Sequence, residues 1–402
     1  MKRSGLVFLT IFLLLAVLGG ILPVLGAQKK LTVLMALGED EWKVMRAAIL
    51  PPFEKEYGCR VEAYQVESSD AIRKLEAMAA AKKMEVDLIT QDNMLLAQLV
   101  EKGLVEDLSE YRELIPETIL KSLLPVGEFR GKLYFLPYRP NVEIAYYNET
   151  KFKKYGLQPP KNWDELLVVA KTFKEKEGIG RVAIKADLSS CTTVHLFDFI
   201  RQAGGDPMKL NDAGCVRAFT FLQQLWPYCS PDSKKANWNY MNRFLATDSV
   251  YLGWNWPFGV NVIVKDGKKE EIKAYAGWAG PVKASHVLGG EVIGIPVGSP
   301  HRALAVKFAE YLLSREVQEK LVSQMGWPAC RSDAYGKVEK WQQPYFAAVN
   351  AALETAEPRP NVTYWADFEK IILKAFRLSV LEGQPVKATL DAAAAELAPL
   401  KK

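Results

Sequence analysis

The residues of this 402-residue chain that could do chemistry are few and scattered. His195, His286 and His301 are its three histidines, and none stands at a zinc-ligand spacing from another or from a cysteine, so metal-assisted hydrolysis lacks a ligand set. The five cysteines, Cys59, Cys191, Cys215, Cys229 and Cys330, are an odd number and carry no cysteine-nucleophile signature. Cys191, Cys215 and Cys229 lie nearest one another in sequence and are the expected pool for one disulfide. Carboxylates such as Asp40 and Asp92 could form the acid and base of a hydrolase, which requires a fixed separation that sequence does not give. Ten tryptophans complete the inventory, and Trp226, Trp238, Trp254, Trp256 and Trp278 crowd one stretch. Core packing is the reading preferred for Trp163 and Trp226, which lie on amphipathic helical stretches. No cofactor or metal is expected.

Composition bounds what must position these residues. With 49% hydrophobic and 25% charged residues the chain can bury several cores, and its length points to two lobes. A formal charge of +5, from 52 basic and 47 acidic residues, predicts no nucleic-acid partner. Residues 1–27 read as a secretory signal peptide: a basic head at Lys2-Arg3, an apolar run from Leu6 to Leu18, then small residues at Gly26-Ala27. A retained anchor is the alternative, since Gly5 to Ala27 could cross a bilayer about 30 Å thick.

Apolar runs at 31–37, 60–66 and 86–90 alternate with helical stretches at 41–57, broken at Pro51-Pro52, then 70–83 and 94–102. That alternation predicts a parallel sheet covered by helices, with ligands outside the carboxyl ends of the strands. Three polar loops fall there, around Glu39-Asp40, Ser69 and Asp92; Ser69 and Asp92 could equally cap helices. From Gly131 two extended runs, 132–138 and 142–147, flank Arg139-Pro140-Asn141. Helices are then expected at 213–225, 302–313, 315–325 and 367–381, and extended segments at 250–254 and 291–295.

The runs Gly131-Lys-Leu-Tyr-Phe-Leu-Pro-Tyr138, Tyr146-Tyr147-Asn148 and Pro159-Pro-Lys-Asn-Trp-Asp-Glu-Leu166 resemble the extracellular solute-binding proteins of the maltose-binding type, receptors of ABC importers. Gln202-Ala-Gly-Gly-Asp206, Trp254-Asn-Trp-Pro257, Gly289-Gly290, Trp327-Pro-Ala-Cys-Arg-Ser332 and Pro358-Arg-Pro360 follow in the family's order. The resemblance implies an α/β fold of the periplasmic binding protein type II class: two discontinuous lobes, joined by hinge strands, with a ligand cleft between them. Lobe 1 would comprise 28–139 plus 287–338, and lobe 2 140–286 plus 339–402.

It further implies a monomeric, exported, non-enzymatic receptor that hands a sugar to the permease subunits of a membrane transporter. An exported glycoside hydrolase, or a receptor of the same fold for another solute, is the alternative. A sugar offers apolar C–H faces and a rim of hydroxyls, so its site wants flat rings beside acceptors and donors. On this resemblance Trp256 is the stacking ring, with Trp254 beside it, and Asp92 accepts from sugar hydroxyls. Asn141 stands where maltose-binding relatives have glutamate, a departure that argues against maltose itself. Glu291, after Gly290, stands where many relatives have tryptophan, and Trp327, near Arg331, would restore the missing ring. Glu39, Asp40 and Trp42 complete the wall of lobe 1, with the helix core as the other place for Trp42.

Overall fold

The computed structural model describes residues 29–65 and 68–401. Residues 1–27, read above as a signal peptide, and the Asp40 and Ser69 side chains lie outside the described set. Among the described residues twelve strands run in the order β1 (Lys29–Met35), β2 (Cys59–Gln65), β3 (Leu88–Asp92), β4 (Glu128–Phe129), β5 (Lys132–Leu133), β6 (Leu136–Asn141), β7 (Ile144–Asn148), β8 (Val182–Ala183), β9 (Leu252–Asn255), β10 (Ile272–Tyr275), β11 (His286–Gly294) and β12 (Ala356–Pro358).

They build two α/β lobes. The first has a sheet in the order β12-β11-β3-β1-β2, with β6 also paired to β11. Its strand β1 runs parallel to both β2 and β3, as the strand–helix alternation predicts. The apolar runs that form it are buried: Leu31, Val33, Leu34, Met35, Leu88 and Ile89 are inaccessible to solvent. The second sheet has the order β10-β7-β9-β8 and mixes antiparallel and parallel pairs. Strand β6 ends at Asn141 and β7 begins at Ile144, so the chain passes between the sheets through Val142-Glu143 alone. It returns between β10 and β11. After β12 the helices Trp365–Phe376 and Val386–Leu397 pack on Ser190–Gln202 and Ala213–Leu225 beside the second sheet.

Helix starts follow their caps. Asn162 Oδ1 accepts from the Glu165 N–H at 2.9 Å and Glu165 reaches back to the Lys161 N–H at 2.8 Å, a capping arrangement that starts Trp163–Glu177. Asn148, Ser189, Asp212, Asn237 and Ser314 cap their helices in the same manner. The expected break at Pro51-Pro52 does not occur. A wide π turn at Met45–Ile49 joins the Glu39–Val44 and Leu50–Tyr57 helices, and the prolines fall in the first turn of the second, where a missing N–H costs little.

The expected disulfide is also absent: Cys191, Cys215, Cys229 and Cys330 are all thiols. The Cys215 thiol instead points at the Asp206 carbonyl (3.4 Å) and that of Cys229 at the Leu225 carbonyl (3.6 Å).

Candidate functional site: a cleft between the lobes

A cavity of about 620 Å³ opens between the two lobes. Lobe 1 contributes Glu39, Glu41, Asp92, Arg139, Asn141, Gly290 and Glu291 to its wall; across from them stand Trp256, Trp238, Cys191, Trp365 and Glu369.

Its floor is organised by Arg139, on β6. One guanidinium nitrogen donates to Glu41 (3.3 Å), another to Glu291 (3.0 Å), and the group lies 3.9 Å over the ring of Trp327. Glu41 also accepts from the Gly38 N–H (2.7 Å) and from Trp327 Nε1 (2.9 Å). All three charged side chains are nearly buried, so their desolvation is offset only because each is paired. Burial pushes the Glu291 carboxyl above its ordinary range, against the opposing pull of Arg139. Gly290 makes this approach possible. Its φ of +110° lies in the left-handed region, and a Cβ there would stand 2.0 Å from the Arg139 carbonyl oxygen.

Asp92 ends β3 and caps the turn that follows. Its Oδ1 caps the next turn through the Met94 N–H (3.4 Å) and pairs with Arg359, while the carboxylate faces the cavity. Arg359 is fixed in turn by Asn93 Oδ1 at 3.0 Å. Trp256 follows β9 with its ring in the wall; Gly289 is the residue that admits the ring edge, since a Cβ there would meet it at 2.8 Å. Behind the ring lies Lys185, 5.5 Å from its centroid, and the Trp256 carbonyl accepts from Tyr146 Oη at 2.9 Å.

Glu39, Asp92, Asn141, Trp256, Gly290 and Glu291 are therefore brought together. Four others are not. Trp42 is fully buried in the lobe 1 core, so the helix-core alternative describes it. Trp254 is fully buried and stacks on Trp278, ring centroids 4.4 Å apart and ring planes nearly parallel. Trp327 restores no missing ring; it is buried and serves as the bed of Arg139. Arg331 forms a two-pronged pair with Asp333 (2.8 Å each) and donates to the Leu313 carbonyl (3.0 Å), which pins its own loop.

Glu41 belongs to the polar loop singled out after the first strand; sequence reasoning missed Arg139, Trp238, Arg359, Trp365 and Glu369 as wall residues. Arg139 and Arg359 lay inside quoted motifs but were read only as chain landmarks. The Asn237 cap signalled that Trp238 opens a helix, though not which way the ring faces.

The profile of the bacterial extracellular solute-binding proteins matches residues 48–348. The chain belongs to that family. This solute-binding protein is 24% identical over 344 residues to a Deinococcus radiodurans protein named "Probable ABC transporter-binding protein", covering 79% of this chain and 80% of that one. Its fold is that of maltose-bound MalE3 of T. maritima (TM-score 0.83, 20% identity, 92% of this chain and 99% of that one). It is similarly close to a Thermotoga lettingae ABC transporter solute-binding protein bound with α-D-tagatose (TM-score 0.82, 23% identity, 93% and 100%). The GacH receptor of Streptomyces glaucescens, solved unliganded and with acarbose, also matches (TM-score 0.79, 20% identity, 94% and 100%). The family is thus that of bacterial extracellular solute-binding proteins, and the fold is shared with solute-binding proteins solved with sugars. Among the described residues no helix is long and apolar enough to cross a membrane.

Proposed function

We propose that this solute-binding protein captures a disaccharide or oligosaccharide by closing its lobes and delivers it to an ABC importer. The observation that carries the reading is the composition of one cavity: the ring of Trp256 stands in a wall with Asp92, Glu39, Asn141 and Arg139. Rings suit the C–H faces of a sugar, and charged acceptors and donors suit its hydroxyl rim. The volume lies within the range of small-ligand sites. The relatives solved with maltose, tagatose and acarbose bind their sugars on the same fold. Asn141, in place of a glutamate, argues for a ligand other than maltose.

The protein acts as a receptor and not as an enzyme. Asp92 is engaged by Arg359 and by the turn it caps, an arrangement that suits an acceptor of hydroxyl hydrogen bonds. It works as an exported monomer, with the permease subunits of its transporter as the membrane partner, and stays anchored to the membrane if its amino-terminal segment is retained. The expected boundary at 139 shifts to the crossing at Val142-Glu143, because Arg139-Pro140-Asn141 is paired with β11 in the first sheet. The other hinge is the segment near Ser285, and after residue 338 the chain returns to the first sheet as β12.

Fluorescence titration with a panel of mono-, di- and oligosaccharides tests the reading, because Trp256 should report occupancy. Silence toward every sugar, with a response to a polyamine, a phosphate ester or a metal complex, overturns the carbohydrate assignment. Release of a cleaved product from an oligosaccharide, lost in Asp92→Asn, overturns the receptor assignment.

A further inference from the structure

One contact crosses the cleft from lobe to lobe. Trp238 opens the Trp238–Ala246 helix, whose first turn is capped by Asn237 accepting from the N–H groups of Asn239 (3.0 Å) and Tyr240 (2.9 Å). That helix packs on β9 of the second sheet. The Trp238 carbonyl accepts from Asn255 Nδ2 at 2.7 Å, and Asn255 precedes Trp256. Both rings therefore belong to one braced piece of lobe 2. Gly38 belongs to lobe 1, in the loop that leaves β1.

A Cβ placed on Gly38 would stand 3.2 Å from Cη2 of Trp238, closer than to any other atom around it. The backbone does not ask for glycine there. With φ −71° and ψ 164° the residue is in ordinary extended geometry. It also occupies a helix N-cap, where Ser, Thr, Asp, Asn and Gly are all favoured, so the cap does not single out glycine. Its own N–H is served by Glu41 instead. What the absent side chain leaves is room for a ring from the opposite lobe.

We propose that Trp238 seated on Gly38 is the retaining contact of the cleft: a ring of lobe 2 lodges on bare backbone of lobe 1 and so determines how long a captured ligand stays. The inference rests on reading the cavity as the ligand cleft, and it is independent of what the ligand is. The closed state gains the apolar contact whichever solute is bound, and losing the contact shifts the population toward the open state.

Cys191 offers a test that needs no sugar. It lines the same cavity and is half-buried, whereas Cys59, Cys215, Cys229 and Cys330 are buried. Its alkylation by iodoacetamide in the folded, unliganded protein therefore reads cleft opening. Trp238→Ala and Gly38→Val should each accelerate it by roughly twofold to tenfold, the population change that loss of one aromatic contact gives. Trp238→Phe should restore most of the wild-type rate. Gly38→Ala, whose methyl group only presses on the ring, should fall between wild type and Gly38→Val and serves if the valine variant fails to fold. Unchanged rates in the glycine variants overturn the proposal. So does acceleration in Trp238→Ala alone, because the Trp238 backbone lies beside the Cys191 thiol and loss of the ring could uncover that thiol locally. Neither result touches the carbohydrate reading, which the titration decides.

Discussion

Arg139 is the residue on which the cleft floor depends, because it is the shared partner of two buried carboxylates. Removing one partner of a buried pair costs far more than the pair contributes, since the orphaned charge stays desolvated. Arg139→Met should therefore destabilise the fold by about 3 to 5 kcal/mol in urea unfolding, with Glu41 and Glu291 left unmatched. A loss below about 1 kcal/mol would mean that water reaches the site and screens it. Trp256 makes the opposite kind of contribution. Its ring is edge-packed on Gly289 and faces the cavity, so Trp256→Ala should weaken sugar binding by about 1 kcal/mol or more while the unfolding midpoint moves little. Unchanged affinity in calorimetry would remove the ring from the site. At this scale sequence was a partial guide. It placed polar groups at the ends of β3 and in the β11 glycine run, where backbone topology decides position. It misassigned Trp254 and Trp327, because whether a ring faces core or cavity depends on partners such as Trp278 and Arg139 that lie far away in the chain.

Among the elements, β11 does the most joining. Its first residues run parallel to β12, and its later ones lie antiparallel to β6 on one side and β3 on the other. The register between β6 and β11 shifts at Glu291/Val292, which lets Glu291 turn toward Arg139. Gly290→Ala would place a Cβ against the Arg139 carbonyl in a backbone region closed to alanine. It should cost roughly 1 to 3 kcal/mol from strain alone, and should open the β6–β11 pairing, visible as faster hydrogen exchange at Arg139 and Glu291. Protection equal to wild type would show that the strands need no glycine. The apolar strands and the helices 213–225 and 302–313 were legible because period and capping are local. The Ser190–Gln202 helix was not anticipated, since it is buried along nearly all its length and shows no polar face to mark its period.

For the molecule as a whole, the crossing at Val142-Glu143 carries a buried charge network. Glu143 pairs with Lys185, and its other oxygen lies 2.9 Å from His195 Nε2; His195 Nδ1 accepts from the Lys185 N–H at 3.1 Å. Burial holds the His195 imidazole below its ordinary 6.5, so the unfolded chain takes up a proton there before the folded one does. Stability from this ring is present above pH 6.5 and is lost as pH falls through the depressed folded value. The melting temperature should therefore decline on acidification below that point, and His195→Gln should flatten the decline. Asp198 on the same helix works with the opposite sign: burial raises its carboxyl well above 3.8, so its contribution fades as pH rises from there. Asp198→Asn should remove that slope, which separates the two groups. A wild-type profile that His195→Gln leaves unaltered would place the acid sensitivity elsewhere.

The position of β11 within its sheet has a consequence for biosynthesis. The sheet that begins at Lys29 cannot be completed until the chain has been made past Gly294, and β12 follows still later. Pairings so distant in sequence form slowly, because the intervening chain must first be ordered. A nascent chain therefore spends most of its synthesis without a finished first lobe. In a member of an extracellular family, that delay keeps the first lobe unfinished, and the chain extensible, while the chain is still being made.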